Sequence, residues 1–176
     1  MPNWVCNKVK LETEDKELLD KIFNEIKGEC EEYGEFDFNT VVPMPNKVYK
    51  DDLSEEARKK FPGEMNWYDW SIKNWGTKWN ACDCIPKQKG ANEIEFNTAW
   101  SAPHPVIEAL SKKYPSVKVI HKWADEDLGN NCGMAIYKGG KELYFNDKEG
   151  LHFACTVWDY DYEEMIKEYY INEEEE

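Results

Sequence analysis

Four tryptophans lie within one stretch of thirteen residues, and this density constrains the fold more than any other feature of the chain. An indole ring buries about 150–250 Å² when it packs fully, so the stretch must either anchor a hydrophobic core or present a flat aromatic surface. Core packing is the more common fate of such rings. Exposed rings with Asn, Thr and Lys between them would instead form a stacking platform for a base or a sugar. The four residues are Trp67, Trp70, Trp75 and Trp79.

The composition predicts a globular, intracellular protein. Hydrophobic residues make up 41% of the 176 residues, which is enough for a core despite a charged fraction of 33%. No apolar run approaches the ~18 residues that a membrane span needs. The first residues also lack the basic and apolar regions of a signal peptide. We therefore expect a cytoplasmic location, no contact with a membrane, and reduced thiols rather than disulfides among the cysteines.

The net charge of −14 is concentrated at the two ends of the chain. Residues 1–35 hold ten acidic and five basic residues, and residues 159–176 hold nine acidic residues and one lysine, whereas residues 36–158 are almost neutral. Phosphate contacts require clustered lysine and arginine, so the sequence predicts no direct binding to nucleic acid. The acidic tail either keeps the protein soluble or forms a surface for a basic protein partner.

Alternation of apolar and polar residues predicts the strands. Val5, Val9 and Leu11 share one parity at the start of the chain, and Ile94 and Phe96 do so in the clearest alternating segment. Two further strands are joined by the Gly-Gly turn at residues 139–140. The predicted extended segments cover residues 4–12, 36–42, 78–82, 93–100, 117–124, 132–137, 141–145 and 153–158.

Helical spacing and capping residues predict the helices between these strands. Ser54 caps a short polar helix that Pro62 and Gly63 end, and prolines are tolerated in the first turn of the helix after Ser101. An acidic helix begins near Asp159. The predicted helices fall within residues 13–26, 54–61, 67–74, 101–114 and 159–176.

The order of these elements predicts the α+β class. Strands that return after single helices, with hairpins between them, are typical of a ferredoxin-like split β-α-β sandwich, in which an antiparallel sheet carries its helices on one face. We expect one such domain over residues 1–176, with a helical insertion around 46–74 and an acidic C-terminal tail at 159–176.

Three segments of the chain resemble a known family. They are the opening residues 1–7, the block at 74–81 that contains Trp-Gly-Thr-Lys-Trp, and residues 96–103 with the sequence Phe-Asn-Thr-Ala-Trp-Ser-Ala-Pro. Together they resemble the YubB-type ferredoxin-like family of small proteins carried on bacterial plasmids and phages. The resemblance spans most of the chain and implies a ferredoxin-like domain and a mobile-element origin. It implies no activity and supplies no catalytic residues.

Cys82 and Cys84 form the one spacing that suggests a metal site. Alternate residues of a strand point to the same face, so we expect the two thiols to lie close together, with Cys6 or Cys132 and a histidine as further ligands of a possible hydrolase. Structural zinc sites usually use paired knuckles with longer spacing, and free cysteines are commonly buried small residues. The latter interpretation is favoured, and we expect neither a metal nor a cofactor.

The acidic tail provides the leading functional hypothesis. An amphipathic acidic helix can imitate the charge of a nucleic acid and occupy the cationic groove of a protein that binds one. The sequence thus predicts a non-enzymatic accessory protein that binds a protein with a basic surface, as an inhibitor of anti-CRISPR or anti-restriction type. The residues expected to bind are Asp159, Asp161, Glu163, Glu164, Glu168, Tyr169, Glu173 and Glu174.

The tryptophan-rich segment provides the alternative hypothesis. A domain that binds a small ligand or a nucleotide would use exposed indoles as its contact surface, which assigns Trp67, Trp70, Trp75 and Trp79 to the ligand. The chain has no P-loop, no dinucleotide-binding glycine motif, no nucleophile elbow and no His-Glu-x-x-His motif. The sequence therefore assigns no catalytic residue.

Overall fold

The protein forms a six-stranded antiparallel sheet with the order β2-β3-β1-β4-β5-β6. The structure, a computed structural model, describes residues 2–28, 34–85 and 91–173, and it describes residues 168–173 by their backbone alone. The order β2-β3-β1-β4 is the split β-α-β arrangement, so the predicted ferredoxin-like α+β fold is confirmed. The strands are β1 (Trp4–Glu12), β2 (Cys82–Ile85), β3 (Glu93–Ala99), β4 (Lys118–Asp125), β5 (Cys132–Lys138) and β6 (Lys141–Asn146).

The N-terminal strand β1 lies at the centre of the sheet. It pairs with β3 on one side and with β4 on the other, so that Val9 lies opposite both Ile94 and His121. The alternation predicted from the sequence is confirmed, because Val5, Val9 and Leu11 are at most 1% exposed and belong to the larger hydrophobic core. We call the face of the sheet that carries this core the main-core face.

Two long helices cover this face of the sheet. Leu19, Ile22, Phe23 and Ile26 of α1 pack in the same core as Val106, Ile107 and Leu110 of α4. Asp15 caps α1 by accepting a hydrogen bond from Leu18 N. The helices are α1 (Lys16–Ile26), α2 (Glu55–Lys60), α3 (Trp67–Asn74), α4 (His104–Lys113), α5 (Leu151–Trp158) and α6 (Tyr162–Glu173).

The strand predicted at residues 153–158 is wrong, because these residues belong to α5. Its apolar residues Leu151, Ala154, Cys155 and Trp158 follow the i, i+3, i+4, i+7 spacing of a helix face. This face packs on the side of the sheet opposite α1 and α4, against Cys6, Ala124 and Cys132. The prediction of helices on one face therefore holds for α1 and α4, and α5 adds a helix on the other.

The extended segment predicted at residues 36–42 is also wrong. Residues Phe38–Thr40 form a 3₁₀ turn that Asp37 caps through Asn39 N. Phe36 and Phe38 are fully buried and pack edge-on against Phe96, at ring distances of 5.2 and 5.8 Å. Their alternation thus reflects two rings entering one core and not a ladder of hydrogen bonds.

A buried polar network joins the three central strands. The amide of Asn7 donates to Thr98 Oγ1 at 2.9 Å, and its Oδ1 lies 3.0 Å from Nε2 of His121. Because the amide oxygen can only accept, Nε2 of His121 carries the proton. All three side chains are fully buried, so the network fixes the register of β3 and β4 on β1.

No helix in the described part of the chain is both long and apolar enough to cross a membrane.

Candidate functional site: a tryptophan-lined cleft

Four tryptophans line a cleft of about 490 Å³ near the start of β1. Its walls come from the N-terminus of β1, the loop that follows the 3₁₀ turn, α3, and the segment that leads into β2. We call it the tryptophan cleft. It is lined by Trp4, Asn39, Met44, Lys50, Trp67, Ser71, Trp75, Lys78, Trp79, Asn80, Ala81 and Cys82.

The N-cap of α3 sets the position of the first wall. Asn66 accepts a hydrogen bond from Asp69 N at 3.0 Å, and its amide donates to Phe61 O and Gly63 O at 2.9 Å each. Residues four apart share a helix face, so Trp67 and Ser71 both reach the cleft. The indole nitrogen of Trp67 donates to a backbone oxygen of the neighbouring loop at 3.2 Å.

The end of α3 turns the chain towards the second wall. Gly76 has φ +80°, and a Cβ there would lie 2.8 Å from Cδ of Pro105, so a residue with a side chain would be strained and would clash. Ser101 Oγ donates to Gly76 O at 2.6 Å, and Thr77 Oγ1 donates to Ala99 O at 2.8 Å. These bonds fix the segment that carries Lys78 and Trp79 to the end of β3.

Lys78 lies between two indole rings. Its Nζ is 4.3 Å from the ring centroid of Trp79 and 4.7 Å from that of Trp100, which are distances of cation–π contacts. Trp100 has φ +70°, an unusual conformation for a bulky residue, and it is 43% exposed. On the other side, the rings of Trp79 and Trp4 are 6.1 Å apart and tilted by 46°, so they do not stack on each other.

Most polar groups in the floor of the cleft are already paired. Asn80 Oδ1 accepts from Phe38 N and Ala81 N, at 2.8 and 2.9 Å, and its amide donates to Asp37 at 2.7 Å. Ser71 differs from its neighbours. Its side chain is 1% exposed, and its Oγ has no hydrogen-bond partner in the described part of the chain.

The cleft is locally basic in an acidic protein. Lys50 and Lys78 line it, and no Asp or Glu does so among the described residues. A second hollow of about 420 Å³ adjoins it and shares Lys50, Trp67 and Lys78. Arg58, Asp51 and Asp52 also line this hollow, so it contains charges of both signs.

The four tryptophans assigned to a ligand divide into two groups. Trp67 and Trp79 are half-buried and Trp75 is 5% exposed, and all three line the cleft. Trp70 is 7% exposed, packs against Trp75 at 5.4 Å, and faces a different hollow with Met65. The sequence analysis missed Trp4, Lys50, Ser71 and Lys78. Only Lys78, next to Trp79 in the chain, carried a local signal.

The acidic residues assigned to a protein partner have different surroundings where the structure describes their side chains. Asp159 is bound by Lys8 at 2.6 Å, and Asp161 Oδ1 accepts from Glu164 N at 2.9 Å at the start of α6. Glu163 and Glu164 are exposed. Glu168, Tyr169 and Glu173 lie in α6, where the structure describes only the backbone, and Glu174 lies outside the described residues.

Cys82 and Cys84 lie on an irregular strand, where both are half-buried and alternate with the exposed Asp83 and Ile85. Asp83 has φ +49°, and β2 spans Cys82–Ile85 opposite only Asn97–Glu95 of β3, so β2 contains one extra residue. Cys84 packs against the main core, and burial raises the pKa of its thiol. Within the ranges described, no group of three His, Cys, Asp or Glu side chains is arranged to hold a metal.

The three histidines lie in two other parts of the fold. His104 and His121 lie on the main-core face beside Trp123, with ring distances of 4.5 and 5.2 Å. His152 lies on α5 and contacts Tyr162. None of the three lines the tryptophan cleft.

Comparison with known proteins gives one family and one fold neighbour. The model of the family described as the ferredoxin-like domain in Api92-like protein matches residues 74–176. The crystal structure of a protein Api92 from Yersinia pseudotuberculosis is similar over 63% of this chain and 39% of that chain, with 14% sequence identity and a TM-score of 0.42. The chain thus spans about two fifths of that protein's length. Among curated proteins, no sequence matches.

Proposed function

The chain belongs to the family of the ferredoxin-like domain in Api92-like protein, and we propose that it binds a small ligand with a flat aromatic ring in the tryptophan cleft. One observation carries the proposal. Three indoles assigned from the sequence, together with Trp4, line a single concave site whose described lining includes two lysines and no carboxylate.

The dimensions and chemistry of the cleft suit such a ligand. Sites for small molecules are commonly clefts of about 300–1,000 Å³ lined by aromatic side chains with a few polar groups, and this cleft measures about 490 Å³. Stacking on one indole contributes about 1–3 kcal/mol. The two lysines favour a ligand with negative charge, because they are the charged side chains in the described lining of the cleft.

The proposal is tested with an aromatic anion as a probe. Anilinonaphthalene sulfonate fluoresces when it leaves water, and it accepts energy from excited indoles. We expect saturable binding to the wild-type protein and binding at least about fivefold weaker to Trp67→Ala, since one stacking wall is lost. The control Tyr144→Ala removes an exposed ring on β6, far along the sheet from the cleft. Equal binding by all three proteins would refute the cleft as the site.

A second candidate function is the binding of a basic protein by the acidic helix. One observation favours it. Tyr162 and Met165 pack against the apolar cluster that α5 forms with Cys6, Ala124 and Cys132, whereas Glu163 and Glu164 are exposed. In this proposal the chain is a non-enzymatic accessory protein that inhibits a host defence protein by imitating nucleic-acid charge.

The deletion that tests this candidate begins at Tyr162 and not at Asp159, because Asp159 is bound by Lys8 of the sheet. The tagged protein and its deletion of residues 162–176 are compared in a pull-down from a bacterial lysate. A stoichiometric basic partner that is lost on deletion supports the candidate. A partner that binds both proteins equally refutes the acidic helix as its site.

An origin on a plasmid or phage and a cytoplasmic location complete this second proposal. The origin is supported by the sequence resemblance alone. The location is supported by Cys6, Cys132 and Cys155, which are buried and form no disulfide, as expected in a reducing compartment. Fractionation of cells that express the full chain tests the location, and recovery in the periplasm would contradict it.

A further inference from the structure

Three features of the tryptophan cleft converge on one class of ligand. From them we propose that the cleft binds a free nucleoside phosphate, with the base against the indoles and the phosphate at Lys50 and Lys78. This inference rests on the proposed function of the same cleft and names its ligand.

The aromatic walls are the first feature. The indoles of Trp4, Trp67, Trp75 and Trp79 line the cleft, and every base has a flat face that can stack on an indole. The amides in the lining, Asn39 and Asn80, are held by bonds to backbone groups and to Asp37. Stacking on the indoles therefore holds the base.

The arrangement of the lysines is the second feature. Lys50 and Lys78 belong to both the cleft and the adjoining hollow, so they mark the boundary between the two. Neither has a carboxylate within 4.0 Å in the ranges the structure describes. Asp51 and Asp52 line the hollow with Arg58, so we place the phosphate at the shared lysines and not deeper in the hollow.

The charge of the whole chain is the third feature. A net charge of −14 opposes the approach of a long polyanion. A single nucleotide enters the locally basic cleft with far less repulsion, because most of its area is the uncharged base and sugar. A sugar or an apolar ring would use the indoles but would leave the lysines unpaired. A nucleoside phosphate uses the indoles and the lysines together.

The phosphate part of the inference is tested by titrating the full chain with the 5′-monophosphates of adenosine, guanosine, cytidine and uridine and with the four nucleosides, at low salt, by calorimetry. We expect at least one nucleotide to bind about tenfold more tightly than its nucleoside. Lys50→Gln and Lys78→Gln should each reduce this ratio towards one, and the control Lys138→Gln, which replaces the exposed lysine at the end of β5, should keep it. Equal affinity of nucleotide and nucleoside for the wild type would overturn the inference.

Two further outcomes separate the possible failures. A single-stranded decanucleotide tests whether the cleft instead takes one end of a nucleic acid. If it bound about tenfold or more tightly than every mononucleotide, the ligand would be a nucleic acid and not a free nucleotide, and the inference would be overturned. Binding of anilinonaphthalene sulfonate at the cleft without binding of any nucleotide would refute this inference alone. Loss of both would refute the proposed function as well.

Discussion

The ammonium group of Lys8 on β1 donates a hydrogen bond of 2.6 Å to the carboxylate of Asp159 at the end of α5. Lys8 also lies 3.5 Å from Glu95 on β3, and its side chain is only 12% exposed. Burial lowers the pKa of Lys8, but the hydrogen bond to Asp159 and the charge of Glu95 raise it further, so that the net shift is upward. This pair ties the end of α5 to the sheet and fixes the point from which α6 begins.

Two substitutions of Asp159 separate the contribution of this ion pair to stability from the cost of the backbone conformation. Asp159 has φ +55°, which costs a residue with a Cβ about 1 kcal/mol more than glycine. We expect Asp159→Ala to lower the free energy of unfolding by about 1–2 kcal/mol, and Asp159→Gly to lower it by less than about 1 kcal/mol, since the carboxylate is largely exposed. Urea denaturation measures both, and equal losses would contradict the argument. In high salt the difference in unfolding free energy between the two variants should persist. Both variants lack the carboxylate, and salt screens only the ion pair.

Gly133 on β5 is required for close packing. A Cβ at this position would lie 2.1 Å from Asn146 O and 2.6 Å from the ring of Trp123. We therefore expect Gly133→Ala to reduce the free energy of unfolding by about 3 kcal/mol or more. Gly150→Ala is the matched control, because a Cβ there meets no atom within 4 Å. A thermal midpoint for Gly133→Ala as high as that of the control would show that β5 and β6 are spaced differently.

His121 makes the free energy of unfolding depend on pH. Burial, and secondarily the neighbouring His104, hold the pKa of His121 well below its ordinary value of 6.5. The unfolded chain therefore takes up a proton at a pH where the folded chain does not. The contribution of His121 to stability is present in full above about pH 6.5 and falls by about 1.4 kcal/mol per pH unit below it, until the folded pKa is reached.

Chemical denaturation between pH 7.5 and 5 checks this slope. The wild type and His152→Gln should lose stability alike, because both retain His121. His121→Gln should start from a lower stability at neutral pH and lose less on acidification. A wild-type free energy of unfolding that stays constant down to pH 5 would contradict the burial of a neutral His121.

The two tryptophans at the start of α3 should respond differently to truncation. Trp70 is buried against Trp75, so we expect Trp70→Ala to cost about 3–5 kcal/mol of stability. Trp67 is half-buried in a cleft wall, so Trp67→Ala should cost about 1–2 kcal/mol of stability and mainly weaken ligand binding. Circular dichroism melts measure both, and the reverse order of stability losses would contradict the assignment of wall and core.

Much of the fold could be predicted from periodicity. The parity of Val5, Val9 and Leu11 defines the central strand, and the spacing of Leu19, Ile22 and Ile26 defines the first helix. The segment with Phe153 and Trp158 could not be assigned in this way, because a short apolar run fits a strand and a buried helix equally well. Only the contact of this segment with Cys6 and Cys132 on the second face decides between them.

The site was predicted less completely than the fold, for a physical reason. Density along the chain identified Trp67, Trp75 and Trp79, which are close in sequence. Trp4 and Lys50 reach the same cleft only through the pairing of β1 in the sheet and the path of the loop before α2. Likewise the extra residue of β2 at Asp83 is a backbone feature without a sequence signature.

The account's central claim is that an aromatic, negatively charged ligand binds in the tryptophan cleft. The most direct measurement follows the indole N–H signals of the eight tryptophans by nuclear magnetic resonance during titration with anilinonaphthalene sulfonate. Single Trp→Phe variants assign the signals. We predict that the signals of Trp4, Trp67 and Trp79 shift together and saturate, while that of Trp158, which lies on the other face of the sheet, stays in place. A shift of Trp158 without the cleft signals, or no saturable shift, would contradict the claim.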